Sequence, residues 1–241
     1  TPQGEDGIAG TGEGSTGDPG WGSLRHRRPI PVPGLAGAAT SFCHNAMNAT
    51  DTLEATRSQR LKAATRDSHG ALDKRIMAGD IFADLGSFAR FLRVQYRFHR
   101  SIDRLYASPA LDALLPGLAG RRRLQQVAAD LHDLGQDLPG ADMAPLAGDL
   151  PLPVALGWLY VAEGSNLGGT VLYKMAARLG LDQGFGARHL AAHPDGAARH
   201  WREFTAALDA VPLSAAQEQQ VIDAADAAFR SVHGHVEIEF G

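Results

Sequence analysis

Apolar side chains recur along this chain at intervals of three and four, the period of one face of an α-helix. Leu61, Thr65, Leu72 and Ile76 fall on such a face and predict a first helix from about residue 54 to 77. A second follows Asp84 and carries Phe88, Phe91, Leu92, Gln95, Tyr96 and Phe98 to about Tyr106. Arg121 to Leu134 forms a third, ended by Gly135. Asp149-Leu-Pro-Leu-Pro153 opens a long fourth helix, because proline suits a first turn whose N–H has no helical partner. That helix is predicted to reach about Leu179 and to stop at Gly180. Ala197 to Leu208 is a fifth, and Ser214-Ala-Ala-Gln217 reads as a capping box opening a last helix to about Glu239. No segment sustains the period-two alternation of a half-buried strand. The pattern predicts an all-α domain over residues 52–240, with no internal repeat.

Composition changes the picture at one end only. Residues 1–46 are crowded with Gly, Pro, Ser and Thr and hold few large aliphatics, so they cannot bury enough surface to offset ordering entropy. A disordered leader is expected there, and Met47 follows it where a translation start would fit. The 241 residues are 44% hydrophobic and 21% charged, ordinary for a globular protein with one sizeable core. A net charge of -4 gives no footprint for nucleic acid. Basic residues cluster at Arg25, Arg27 and Arg28 and at Arg121, Arg122 and Arg123; such runs are usually solvated faces and less often docking patches. Cys43 is the only cysteine, so no intrachain disulfide can form. No apolar stretch approaches the ~20 residues of a membrane helix, and no secretory signal pattern is present. A cytoplasmic protein is expected.

Two segments invite chemistry. His69 lies seven residues after Lys62 on the first helix, so the two share a face about 10 Å apart along the axis. That spacing suits an imidazole under a metal and an ammonium at a ligand's acidic edge. A lone helical histidine is nevertheless more often a surface or hydrogen-bonded residue, and His99 and His132 compete with it. The long helix holds Gly164, Gly168 and Gly169 within Gly157-Trp-Leu-Tyr160-Val-Ala-Glu-Gly164-Ser-Asn-Leu-Gly168-Gly169. Each helical glycine costs about 1 kcal/mol relative to alanine. Gly164 and Gly168 strip one face of side chains, which allows a flat ligand close to the backbone or a kink. A tight helix–helix crossing explains the spacing equally well.

Taken together, these segments resemble the heme oxygenases. Thr65-Arg-Asp-Ser-His69 and Glu163-Gly164-Ser-Asn-Leu-Gly168-Gly169 stand in the family's order, and the second segment is the closer match. Asp84 to Tyr106, Asp182 to Leu190 and Trp201-Arg-Glu-Phe-Thr-Ala-Ala-Leu208 extend the likeness to the bacterial branch, over roughly residues 55–240. The resemblance implies a single-domain helical bundle with heme between the first helix and a kinked glycine-rich distal helix. It makes His69 the iron's proximal ligand and Gly164, Ser165, Asn166, Gly168 and Gly169 the catalytic wall. Animal members carry Asp where Ser165 stands, so here the water network must be rebuilt, with Ser165 and Asn166 as contributors. Lys62, Tyr160 and Arg202 match positions that contact the heme propionates.

The same resemblance implies that heme b is both substrate and cofactor and is opened with O2 and external electrons to biliverdin, CO and ferrous iron. Lys62 and Tyr160, with Met175 where β- and δ-forming members have lysine, imply the IXα isomer. A ferredoxin or flavin reductase is the implied electron donor, docking on Arg121 to Arg123, and a bacteriophytochrome is a conceivable recipient of biliverdin. Competing readings are a non-catalytic heme-sequestering protein, a thiaminase-like or di-iron enzyme on the same fold, and an all-α interaction domain. The lone Cys43 lies in the leader, and Glu163 with scattered histidines makes no di-iron set, which weighs against the second.

Overall fold

The computed structural model describes residues 55–140, 146 and 150–241, all within the compact unit Thr52–Gly241. The expected leader, residues 1–46, lies outside the described residues. Among the described residues eight α-helices follow one another: α1 Arg57–Ala64, α2 Arg66–Ala78, α3 Leu85–Tyr106, α4 Pro109–Leu114, α5 Leu124–Asp133, α6 Leu152–Ala176, α7 Ala197–Ala210 and α8 Ala215–Phe240. Short 3₁₀ turns lie at Leu118–Arg121, Ala177–Leu179 and Arg188–Leu190. Among the described residues there is no strand, only an isolated bridge between Asp182 and Gly186. The all-α expectation holds.

Helix starts are chemically marked. The Asp84 carboxylate accepts the Ser87 N–H at 2.6 Å and opens α3; that bond also holds the carboxyl below its ordinary pKa. Ser214 and Gln217 form the expected capping box at α8, and Thr56 and Gln59 form another at α1. Two expectations need correction. The first helix is not one rod: it breaks at Thr65, whose hydroxyl donates back to the Leu61 carbonyl at 2.8 Å while its backbone leaves helical geometry. Such back-bonding competes with the helical ladder. The third helix starts at Leu124 rather than Arg121, because Arg121 belongs to a 3₁₀ turn that swings its side chain inward.

Two apolar clusters build the core. The larger joins Leu61 and Leu72 to Phe98, Ile102 and Leu105 of α3, Leu156 and Leu159 of α6, and Val221, Ala225 and Ala228 of α8. The smaller joins Phe88, Phe91 and Leu92 of α3 to Val127 and Leu131 of α5, and to Ala176, Leu181 and Leu190. Each fully buried Leu, Phe or Val among them contributes about 1.5–3 kcal/mol. The most extensive interhelical packing is between α6 and α8. At its centre Gly157 lies so close to α8 that an added Cβ would sit 2.4 Å from the Val221 carbonyl oxygen. The tight crossing that the glycine pattern allowed therefore exists, but at Gly157.

Candidate active site

A cavity of about 660 Å³ opens where the two clusters meet, within the size range of pockets that take a cofactor-sized ligand. Leu72, Phe98, Val161, Phe229 and Val232 give it apolar walls from the larger cluster, and Phe91 and Leu190 from the smaller. Of the site residues expected from sequence, Lys62, His69, Tyr160, Gly164, Ser165, Asn166, Gly168 and Gly169 all line it.

His69 stands on α2, 61% exposed, with its ring edge-on to Phe229 at 5.6 Å. Its Nδ1 lies 3.2 Å from the Asp73 carboxylate, one turn on. A proton on Nδ1 facing that carboxylate leaves Nε2 with a free lone pair, the arrangement found in metal-binding histidines. Lys62 and Arg66, one turn apart at the junction of α1 and α2, both reach the same cavity, and neither has an ion-pair or hydrogen-bond partner among the described residues. Tyr160 packs its ring on Trp201 at 5.6 Å. Burial raises its phenol pKa.

The α6 wall remains helical through all three glycines. A Cβ at Gly168 would meet nothing within 4 Å, and at Gly164 and Gly169 only Trp201 and Leu190 at 3.6 Å, an ordinary contact. Packing within the protein therefore does not require these glycines. What they supply is a backbone surface without side chains, facing the cavity. The Ser165 hydroxyl donates to the Ala162 carbonyl at 2.6 Å, so its proton stays within the helix and its oxygen is left to accept. Asn166 Nδ2 is buried without a partner among the described residues.

Two buried histidines, less apparent in the sequence, complete the polar lining. His189, in the turn after α6, gives Nδ1 to Asp130 at 2.8 Å and leaves Nε2 buried and unpaired. Asp130 is fully buried and also accepts the backbone N–H groups of Arg188 and His189, which offset its desolvation and hold its pKa low. His99 on α3 leaves Nδ1 unpaired; burial first, then His189 and Arg123, lower its pKa to about 3. Both imidazoles are thus neutral at physiological pH. An unpaired buried polar atom costs about 1–3 kcal/mol. Their presence in one cavity wall marks a place built for a polar ligand or bound water.

Two expectations are not met in the form stated. Arg202 is exposed and outside the lining; its neighbour Trp201 takes the wall, since one step along a helix turns a side chain by about 100°. Arg66 is the second cation at the cavity. Arg121 to Arg123 form no flat docking patch: Arg121 is 5% exposed and bonded to Glu163, Arg122 pairs with Asp103, and Arg123 is largely buried. Glu163 lies between Arg121 at 3.0 Å and the Tyr106 hydroxyl at 2.9 Å. Among the described residues no three His, Cys, Asp or Glu side chains converge as metal ligands.

The profile of the heme oxygenase family matches residues 55–237. The chain belongs to the heme oxygenase family. Its similarity to named members is substantial. It is 43% identical to heme oxygenase PigA of Pseudomonas aeruginosa over 178 residues, covering 74% of this chain and 90% of that protein. It is 30% identical to a heme oxygenase of Xanthomonas campestris pv. campestris, covering 62% of this chain and 88% of that one. Among solved structures, the NO- and CO-bound heme oxygenase of Neisseria meningitidis superposes with a TM-score of 0.74 and 37% identity. That match covers 77% of this chain and 92% of that one. A heme oxygenase from Leptospira interrogans, at 19% identity and a TM-score of 0.63, shares the fold over 76% of this chain and 100% of its own. This heme oxygenase is thus an enzyme of heme degradation on the family's all-α fold. No helix among its described residues is long and apolar enough to cross a membrane.

Proposed function

We propose that the cavity takes heme b with His69 Nε2 on the iron, and that the enzyme opens the ring to biliverdin IXα, CO and ferrous iron. The observation that carries this reading is a convergence on one apolar cavity. An imidazole with its Nδ1 on a carboxylate and a helix wall without Cβ atoms both face it. Bound heme supplies both the iron at which O2 is activated and the carbon that is oxidised. Electrons come from an external donor of the ferredoxin or flavin-reductase class.

The chain's own residues orient, exclude and hydrogen-bond. Asp73 keeps His69 in the ligating tautomer. Lys62, Arg66 and the Tyr160 hydroxyl offer donors to the propionates and so fix the rotation of the ring, which selects the attacked carbon. The apolar residues Leu72, Phe98, Phe229 and Val232 exclude bulk water. Gly164, Gly168 and Gly169 let backbone approach the ring face, and that stretch of α6 presents no strong acid, only Ser165 and Asn166. The unpaired nitrogens of Asn166, His99 and His189 are suited to order water there.

Turnover tests the reading. Heme-loaded protein is given reductant under O2, the Soret band and CO are followed, and the verdin is separated by isomer. Loss of the Soret band with a IXα product is expected. A β or δ product would overturn the roles of Lys62 and Tyr160, and a stable Soret band would indicate a sequestering protein.

A further inference from the structure

The helix that carries His69 is fastened to α8 at several points. The Ser68 hydroxyl donates to the Asp226 carboxylate, whose other oxygen accepts from Arg230 one turn on. The His69 ring meets Phe229 edge-on, with centroids 5.6 Å apart and planes 87° from parallel. Arg75 pairs with Glu237 at 2.6 Å, and at Gly79 an added Cβ would lie 2.8 Å from the Phe240 ring. Asp226, Phe229, Glu237 and Phe240 fall at helical spacing and form one stripe of α8. On the other side α8 is fixed against α6, where Gly157 closes on Val221, Ala224 and Ala225. The ligand helix therefore cannot drift far from the glycine wall.

Within this frame the His69 ring itself is loosely held. Its side chain is 61% exposed, so rotation about the Cβ–Cγ bond meets mostly open space. Asp73, 3.2 Å from Nδ1, is 62% exposed, and water competes for such a contact. Phe229 differs: it is 7% exposed and belongs to the larger core cluster, so its ring cannot withdraw. An aromatic ring fixed at right angles to an imidazole favours that one orientation, through edge-to-face attraction and through contact when the imidazole turns. The plane of an axial imidazole decides which opposite pair of pyrrole nitrogens its π orbital lies along. It thereby sets the electronic asymmetry of a bound heme.

We propose that Phe229 is a positioning residue that sets the imidazole plane of His69, with α8 as the mount that keeps the two rings together. Its effect on the iron is exerted through His69. The assignment rests on the reading of His69 as the iron's ligand.

The test uses heme-loaded ferric protein with cyanide added, a low-spin state in which the four heme-methyl proton shifts report the plane of the axial imidazole. Phe229→Leu is expected to retain the histidine-ligated spectrum and to change the order of the four methyl shifts. Phe229→Tyr, which keeps the ring, is expected to restore the wild-type order, a rescue that mere filling of space would not give. Nuclear Overhauser contacts from heme to Phe98 and Val161, which line the same cavity, record the seat of the porphyrin and should not move. Should Phe229→Leu fail to fold, Phe229→Met makes the same comparison. An unchanged order of shifts without the ring, or the same altered order in Phe229→Tyr, would overturn the assignment. Displaced contacts to Phe98 and Val161 would overturn it too, since Phe229 would then act on the porphyrin and not on His69. All three results leave the heme reading standing. A wild-type ligation spectrum in His69→Ala would overturn both.

Discussion

Helix α6 holds two regions that the same residue type serves in opposite ways. From Pro153 to Glu163 all residues except Val154 are buried, and Gly157 is required because α8 occupies the place of a side chain. From Gly164 onward the helix opens, and its glycines border space that no protein atom fills. Glu163, held by Tyr106 and Arg121, is the last residue of the sealed half. One half is shaped by the protein's own packing, the other by what it must accommodate.

The sharpest way to break this contrast is to add one methyl group to each half. Gly157→Ala should destabilise the protein by about 3 kcal/mol, the upper end for overpacking, because the contact is with backbone that cannot rotate away. Urea denaturation of the heme-free protein measures it. An unchanged midpoint would show that α6 and α8 can part at little cost.

Much of the architecture was legible because it follows from local chemistry. Asp84, the Ser214–Gln217 box and Gly180 mark helix boundaries through caps and a left-handed backbone, and those signals are short-range. The break at Thr65 was not legible, since Thr fits both a helix face and a back-bonded bend. The inward turn of Arg121 was hidden for another reason: its partner Glu163 is 42 residues away. His69, Lys62 and the glycine stretch stood out through motif and resemblance. Asp130 and His189 did not, and His99 was only a competing ligand candidate, because their pairing and burial depend on elements that meet only in the folded chain. Spacing alone also could not separate Gly157 from Gly164; only α8 distinguishes a crossing from a cavity wall.

The cavity side carries a pH signature of its own, in His99. His99 has a folded-state pKa of about 3 against an ordinary 6.5, so the unfolded chain binds its proton first as pH falls. Its contribution to stability is complete above pH 6.5 and is lost progressively from there down to about 3, by up to about 1.4 kcal/mol per pH unit. Denaturation of the heme-free protein across that range should show this slope, and His99→Leu should flatten it. An unaltered slope in the variant would mean that His99 is protonated in the fold.

The smallest effect has the opposite sign to the first. Gly168→Ala meets no protein atom, so in the heme-free protein it should stabilise the helix by up to about 1 kcal/mol. Heme affinity should fall at the same time, because the methyl group enters the cavity. Equal heme binding by the variant would remove the reason given for the open half.

The most direct measurement is heme titration of the wild-type protein beside His69→Ala, with His99→Ala and His189→Ala as companions that alter other histidines of the same cavity. The histidine-ligated spectrum should disappear in His69→Ala alone and persist in the other two. Its persistence in His69→Ala would contradict the assignment of His69 to the iron.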